Sequence, residues 1–191
     1  MRVGSLVRVE LHGRRVRAWV IADGVEPPTG IELRPIAKVT GWGPSAEVVE
    51  LAHWAAWRWA GRPAQLLGTA SPPTAVRGLP DRPAQAVRGS GPEGVARDAL
   101  SQPRSVVRIA PAADRYPLLR AAAGLGEILV LTPSLASATQ LTERLGRDGF
   151  PVALLPRGWA AAAAGGRVVV GTRAAAWAPS PSLRAVFDTS A

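Results

Sequence analysis

The sequence predicts an α/β chain in two parts: a small β-rich unit over residues 1–77 and a parallel-sheet unit over 105–191, joined by a linker over 78–104. Three observations carry this prediction. The first part alternates apolar and polar residues with period two before switching to helical spacing. The last part alternates short apolar runs with helical stretches, the pattern of strands covered on both faces. Between them, PP, GLP, DRP, GSGPEG and QP break both periodicities.

Taken in order, LVRVEL is a first strand. VRAWVIA is a second, after a turn at His12-Gly13-Arg14-Arg15, and IELRPIAKV is a third, beyond a loop from Gly24 to Gly30. Ser45 then caps a helix, SAEVVELAHWAAWRWAG, whose Val48, Leu51, Ala52, Ala55 and Trp59 fall at helical spacing and which Gly61 ends; PAQLLGTA is a second, shorter helix. After the linker come the strand SVVRIA, a helix from Asp114 to Ala123, and the strand EILVLT. A helix from Ser134 to Leu145 follows, then the strand PVALL, a helical run over Ala160–Ala164, and the strands RVVVGT and LRAVFD.

Composition excludes several function classes. Of 191 residues, 47% are hydrophobic, enough for an aliphatic core, and no apolar segment is long enough for a signal peptide or membrane span, so a cytoplasmic protein is expected. There is no cysteine, hence no disulfide framework or thiolate zinc site, and His12 and His53 stand too far apart in sequence to suggest a metal site. The GSG at Gly89–Gly91 sits in the linker with no strand before it, so it is no hydrolase elbow, and no dinucleotide fingerprint occurs. A net charge of +9 favours polyanionic partners. Every basic residue except Lys38 is arginine.

LTPSLASATQLTERL followed by VVVGTRAAAWAPSPSLRAVFD resembles successive motifs of the first RecA-like lobe of superfamily 2 helicases, and more narrowly those of the PriA family, the primosomal protein N′ of replication restart. GSLVRVELHGRRVRAWVIADGV and ELRPIAKVTGWGPSAEVVELAHWAAWRWAGRPAQLLGTASPP look like the N-terminal DNA-binding domain of the same family. The resemblance implies a partial RecA-like lobe, and a first domain that lacks the family's initial strand and recognises the 3′ end of a nascent strand. It also implies a chain that stops before the second lobe and the zinc-binding cysteines.

Family members bind ATP, magnesium and zinc. Here the stretch VVRIAPAADRYPLLRAAAG has no lysine and no glycine before Gly124, whereas a P-loop needs glycine N–H groups around phosphate and a lysine reaching the outer phosphates. Asp114 stands at the expected helix start, a negative charge where a phosphate would dock. Asp188 occupies the place of the family's metal-holding aspartate, with Thr189 and Ser190 replacing its acidic neighbours. The resemblance therefore implies a pseudo-helicase without cofactors, similar to the degenerate forms associated with actinobacteria. Its expected partners are forked or single-stranded DNA and other primosome proteins.

For DNA binding, Gly13 and Arg34 stand at positions similar to family contact residues, and Arg14, Arg15 and Arg17 extend the charge along one turn and strand. Arg173, in the GTR motif, lies where such helicases contact the single-strand backbone. Trp54, Trp57 and Trp59 with Arg58 admit a base-stacking surface. The spacing of Trp54 and Trp57 beside Ala and Leu instead favours core packing, leaving Trp42 as the exposed ring.

Overall fold

The computed structural model describes residues 1–84, 94–110 and 112–189. The linker's residues 85–93, including Gly89–Gly91, and Ser190 lie outside these. The chain divides into two compact units, Met1–Leu79 and Pro80–Ala191.

In the first unit, β1 (Leu6–Leu11) and β2 (Arg14–Trp19) form an antiparallel hairpin, and β3 (Lys38–Gly41) pairs on the other side of β1, giving the order β2-β1-β3. His12 and Gly13 both take positive φ, 48° and 73°, as a two-residue hairpin turn requires. The third strand is shorter than IELRPIAKV suggested: residues 31–36 lie outside any ladder. Pro35 has no N–H to donate, and the chain first joins β1 at Ala37, whose N–H donates to the Arg8 carbonyl (3.0 Å).

Two helices follow, α1 (Ala46–Arg58) and α2 (Pro63–Ala70). The Ser45 hydroxyl caps α1 by accepting from the Val48 N–H. The inner face of α1 is built from Val49, Ala52, Ala55 and Ala56, which with Leu6, Val7, Val20, Pro44, Leu67 and Ala70 are among the buried apolar residues of this unit. Because the inward side chains are small, the bulky ones are displaced outward: Leu51, Trp54, Trp57 and Trp59 are all exposed, which corrects the expectation of a Trp54–Trp57 core. Trp42 is instead half-buried, with the Arg2 guanidinium 4.2 Å from its ring centroid. Beyond the C-cap Trp59, Ala60 takes a left-handed φ of 50° and Gly61 donates to the Ala56 carbonyl (2.8 Å), closing the last turn.

The second unit begins with α3 (Val95–Ser101), a helix inside the stretch expected to be linker, and α4 (Tyr116–Ala123). A four-stranded parallel sheet follows, from β4 (Ile128–Leu131), β5 (Val152–Leu154), β6 (Val168–Gly171) and β7 (Ala185–Asp188), in the order β5-β6-β4-β7. Its connections include α5 (Leu135–Arg147), α6 (Trp159–Ala164) and a 3-10 turn, Arg173–Trp177. The register pairs Leu129 with Val169, so Ile128, Val130, Val168 and Val170 share one face. They pack with Tyr116, Leu119 and Ala122 of α4, and with Ala138 and Leu145 of α5. The opposite face buries Leu129 and Val169, and a side chain on Gly171 there would collide with Ala175 of the 3-10 turn. Burying each of these aliphatic side chains stabilises the unit by roughly 1.5–3 kcal/mol. A sheet covered on both faces explains why β6 reads as an unbroken apolar run.

SVVRIA adds no strand to this sheet. Val107 and Ile109 are half-buried, but Val106 is almost fully exposed and residues 105–110 make no ladder bond. The helix expected from Asp114 starts two residues later, at Tyr116, whose N–H is taken by the Asp114 carboxylate (3.0 Å). No helix among the described residues is long and apolar enough to cross a membrane.

Candidate nucleic-acid interface

Apart from Arg14, the strands of the first unit carry their charged side chains on one face of the sheet. In β1 and β2, Glu10 stands opposite Arg15 and Arg8 opposite Arg17; in β3, Lys38 stands opposite Arg8. Side chains directly opposite one another lie on the same face, so Arg17, Arg8 and Lys38 form a row of three cations running across all three strands. Arg15 lies two residues along β2 from Arg17, on the same face. All four are exposed, and none makes an ion pair: the ion pairs among the described residues, Arg120–Asp148 and Arg144–Asp114, belong to the second unit. Glu10 shares this face but stands opposite Arg15, and like charges placed directly opposite destabilise a sheet, so the row of three, with no carboxylate directly opposite any of its members, gains when an anion covers it. The Arg17 guanidinium lies 5.4 Å from the Trp19 ring centroid, which orients it, and Trp19 in turn donates through Nε1 to Ser71 Oγ (2.9 Å).

Residues 1–72 match the family model of the PriA 3′ DNA-binding domain (3′BD). The match covers the hairpin, β3, α1 and α2, and stops within the first unit. No curated protein and no solved structure matches the chain.

Of the residues singled out in the sequence of this unit, Arg15 and Arg17 lie on the charged face, while Arg14, opposite Leu11, points to the other face with Val9 and Val16. Gly13 sits at the hairpin tip. A side chain there would meet nothing within 4 Å, so glycine serves the positive φ of the turn and leaves the tip open. Arg34 is exposed in the irregular segment before β3 rather than in a strand. Sequence reasoning missed Arg8 and Lys38. The signal was present in the alternation of LVRVEL, where Arg8 and Glu10 share one parity, but Lys38 joins them only through the register of β3.

In the second unit, the C-terminal edge of the parallel sheet holds the remaining candidates. Arg173 opens the 3-10 turn that follows β6 and is exposed. Asp188 ends β7 opposite Leu131, and the next residue, Thr189, closes that edge: its N–H (2.9 Å) and hydroxyl (2.8 Å) both donate to the Leu131 carbonyl. Arg115 donates to the Thr189 carbonyl (3.1 Å), bringing the start of α4 to the same edge. This is where ligands of open α/β sheets usually sit.

The start of α4 is committed internally. Asp114 accepts from the Tyr116 N–H and takes a two-armed hydrogen bond from Arg144, one arm 3.0 Å long. The same guanidinium lies 3.8 Å from the Tyr116 ring centroid, and the Tyr116 hydroxyl donates to Asp148 (2.8 Å), which also accepts from Arg120 (2.7 Å). The Arg144 bond, then the Tyr116 N–H, hold the Asp114 carboxyl below its ordinary value. Burial and the Asp148 carboxylate push the Tyr116 phenol up to about 12. Among the described residues there is no cluster of three or more His, Cys, Asp or Glu side chains able to hold a metal ion.

Proposed function

We propose that this chain is a PriA-type replication-restart protein that holds forked or single-stranded DNA through its first unit and does not unwind it. The observation that carries the reading is the match of residues 1–72 to the PriA 3′BD, a domain whose sheet here presents the unpaired cation row Arg17–Arg8–Lys38. Phosphate backbones reward such a row, because each neutralised phosphate releases counterions. Within this reading, Gly13, Arg14, Arg15, Arg17 and Arg34 contact the nascent strand end, and other primosome proteins assemble on the complex.

The second unit is read as a RecA-like lobe that has lost nucleotide chemistry. Two features support this. The only lysine of the chain, Lys38, belongs to the first unit. At the start of α4, the Asp114 carboxylate occupies the N–H group a phosphate would need, and Arg144 clamps it there. The residues present do not fit a triphosphate: an anion docking at this helix end would meet a carboxylate, not a nest of glycine N–H groups. Arg173, at the sheet's C-terminal edge, is the proposed single-strand contact of this unit.

The test is fluorescence anisotropy of a fork with a recessed free 3′-hydroxyl, against the same fork with a blocked 3′ end, over a range of salt and with or without ATP. Preference for the free end, unchanged by ATP, is the expected result. Equal binding to both ends would remove 3′-end recognition, and ATP-driven strand separation would restore the helicase reading.

A further inference from the structure

Three tryptophans of α1 and its cap stand in solvent: Trp54, Trp57 and Trp59 are 50%, 78% and 66% exposed, whereas Trp19, Trp42, Trp159 and Trp177 are buried or half-buried. Indole rings are rarely left in water without a use, since each carries a large apolar surface. Their arrangement is not random. Trp54 and Trp57 lie three apart on one helical side, and Trp59 turns back at the C-cap so that its ring meets Trp54 edge-on, centroids 5.4 Å apart and planes at 81°. That contact braces two rings and leaves the third, Trp57, open.

The surroundings decide between a protein and a nucleic acid as occupant. A protein-docking face would surround the rings with large aliphatic side chains; here the one large aliphatic residue exposed on α1 is Leu51. The neighbours in sequence are instead cationic: Arg58, between Trp57 and Trp59, and Arg62, three residues on, are exposed, and from Leu51 to Pro80 the chain holds three arginines and no carboxylate. Glu50, one turn before Trp54, is the nearest acidic residue in sequence. Aromatic faces flanked by arginine suit the stacked bases and phosphates of a single strand, because every base offers a π-face and every linkage a negative charge.

We infer that Trp54, Trp57 and Trp59, flanked by Arg58 and Arg62, form a stacking platform for the bases of single-stranded nucleic acid, distinct from the cation row on the sheet. The inference rests on the DNA-binding reading of this unit and adds to it: the sheet takes phosphates, and the helix takes unpaired bases.

The full chain is titrated with a fluorescent oligothymidylate of about ten nucleotides and, separately, with the fork used above. Wild-type protein should bind the oligothymidylate with quenching of its exposed indoles. Trp57→Ala should weaken that binding about tenfold, Trp57→Phe should stay within about threefold because a ring remains, and circular-dichroism melting should be unchanged because the side chain is exposed. If wild-type binds the fork, and Arg8→Gln weakens that binding while Trp57→Ala and Trp59→Ala bind both probes as wild-type does, the platform is overturned and the DNA-binding reading stands. Failure of the wild-type protein to bind either probe would overturn both. Sedimentation showing a dimer that Trp57→Ala dissolves, with no effect of oligothymidylate, would assign the face to a second copy of this chain and also overturn the platform.

Discussion

Arg8 is the centre of the cation row, and its replacement separates binding from folding. Each phosphate contact to duplex DNA steepens the logarithmic dependence of affinity on salt by about 0.9, so a fourfold rise from about 50 to about 200 mM salt costs about 3.5-fold per contact and about fortyfold for three. Arg8→Gln should therefore weaken fork binding at low salt, flatten the salt slope by about 0.9, and retain the contacts of Arg17 and Lys38. Without DNA the same change should leave stability unchanged or raise it by up to ~1 kcal/mol, since two like-charge cross-strand pairs are relieved. Anisotropy of a labelled fork across a salt series gives the slope, and thermal melting of the free protein gives the stability. An unchanged slope together with a lowered melting temperature would show that Arg8 supports the sheet and not the DNA, and would refute the reasoning.

Other expectations are independent of DNA. Ala60→Gly should stabilise the chain by ~1 kcal/mol in a urea melt, because glycine accepts the left-handed φ of 50° that alanine resists. Gly4→Ala should destabilise by ~2 kcal/mol or more, since its Cβ would land within the radius of the Pro44 carbonyl oxygen, backbone that cannot swing aside. The Tyr116 phenol is raised in the fold, so its contribution is complete below the ordinary tyrosine value near 10 and is lost as pH rises toward about 12; Tyr116→Phe should abolish that alkaline step in a pH–stability series. Asp114 and Asp148 are shifted the opposite way, so their contribution holds above the ordinary carboxyl range and fades as pH falls through their lowered values; Asp114→Asn should flatten the acid limb.

Much of the fold was legible because period and punctuation agreed. The hairpin, both helices of the first unit and four strands of the second follow from alternation, caps and glycine or proline stops. What escaped were features set by partners distant in sequence. The outward turn of Trp54 and Trp57 could not be read from their spacing, because a helix with alanine on its inner side can expose larger residues at the same period. Ser105–Ala110 has the composition of a strand, yet no neighbour in the sheet accepts it. The charged face was half visible: Arg15 and Arg17 stood out as a cluster, while Arg8 and Lys38 acquire meaning only from pairing. Asp114 was expected to open a helix that begins two residues later, at Tyr116, and its clamp, Arg144, lies 30 positions away.

The irregularity in the ladder between β1 and β3 has a further consequence. Leu6 faces Gly41, but Val7 faces Val39, so one residue, Thr40, is left over, and its hydroxyl donates to the Leu6 carbonyl (3.0 Å). Had the ladder run on evenly from Leu6, Arg8 would face Val39, and Lys38 would emerge on the opposite side of the sheet. The surplus residue acts as a phase shift: it lets Gly41 keep its close approach to the Val76 carbonyl while the chain before it changes parity. The irregular segment before Ala37 can then vary in length without disturbing which side of the sheet is positive, because that choice is made in the four residues after it.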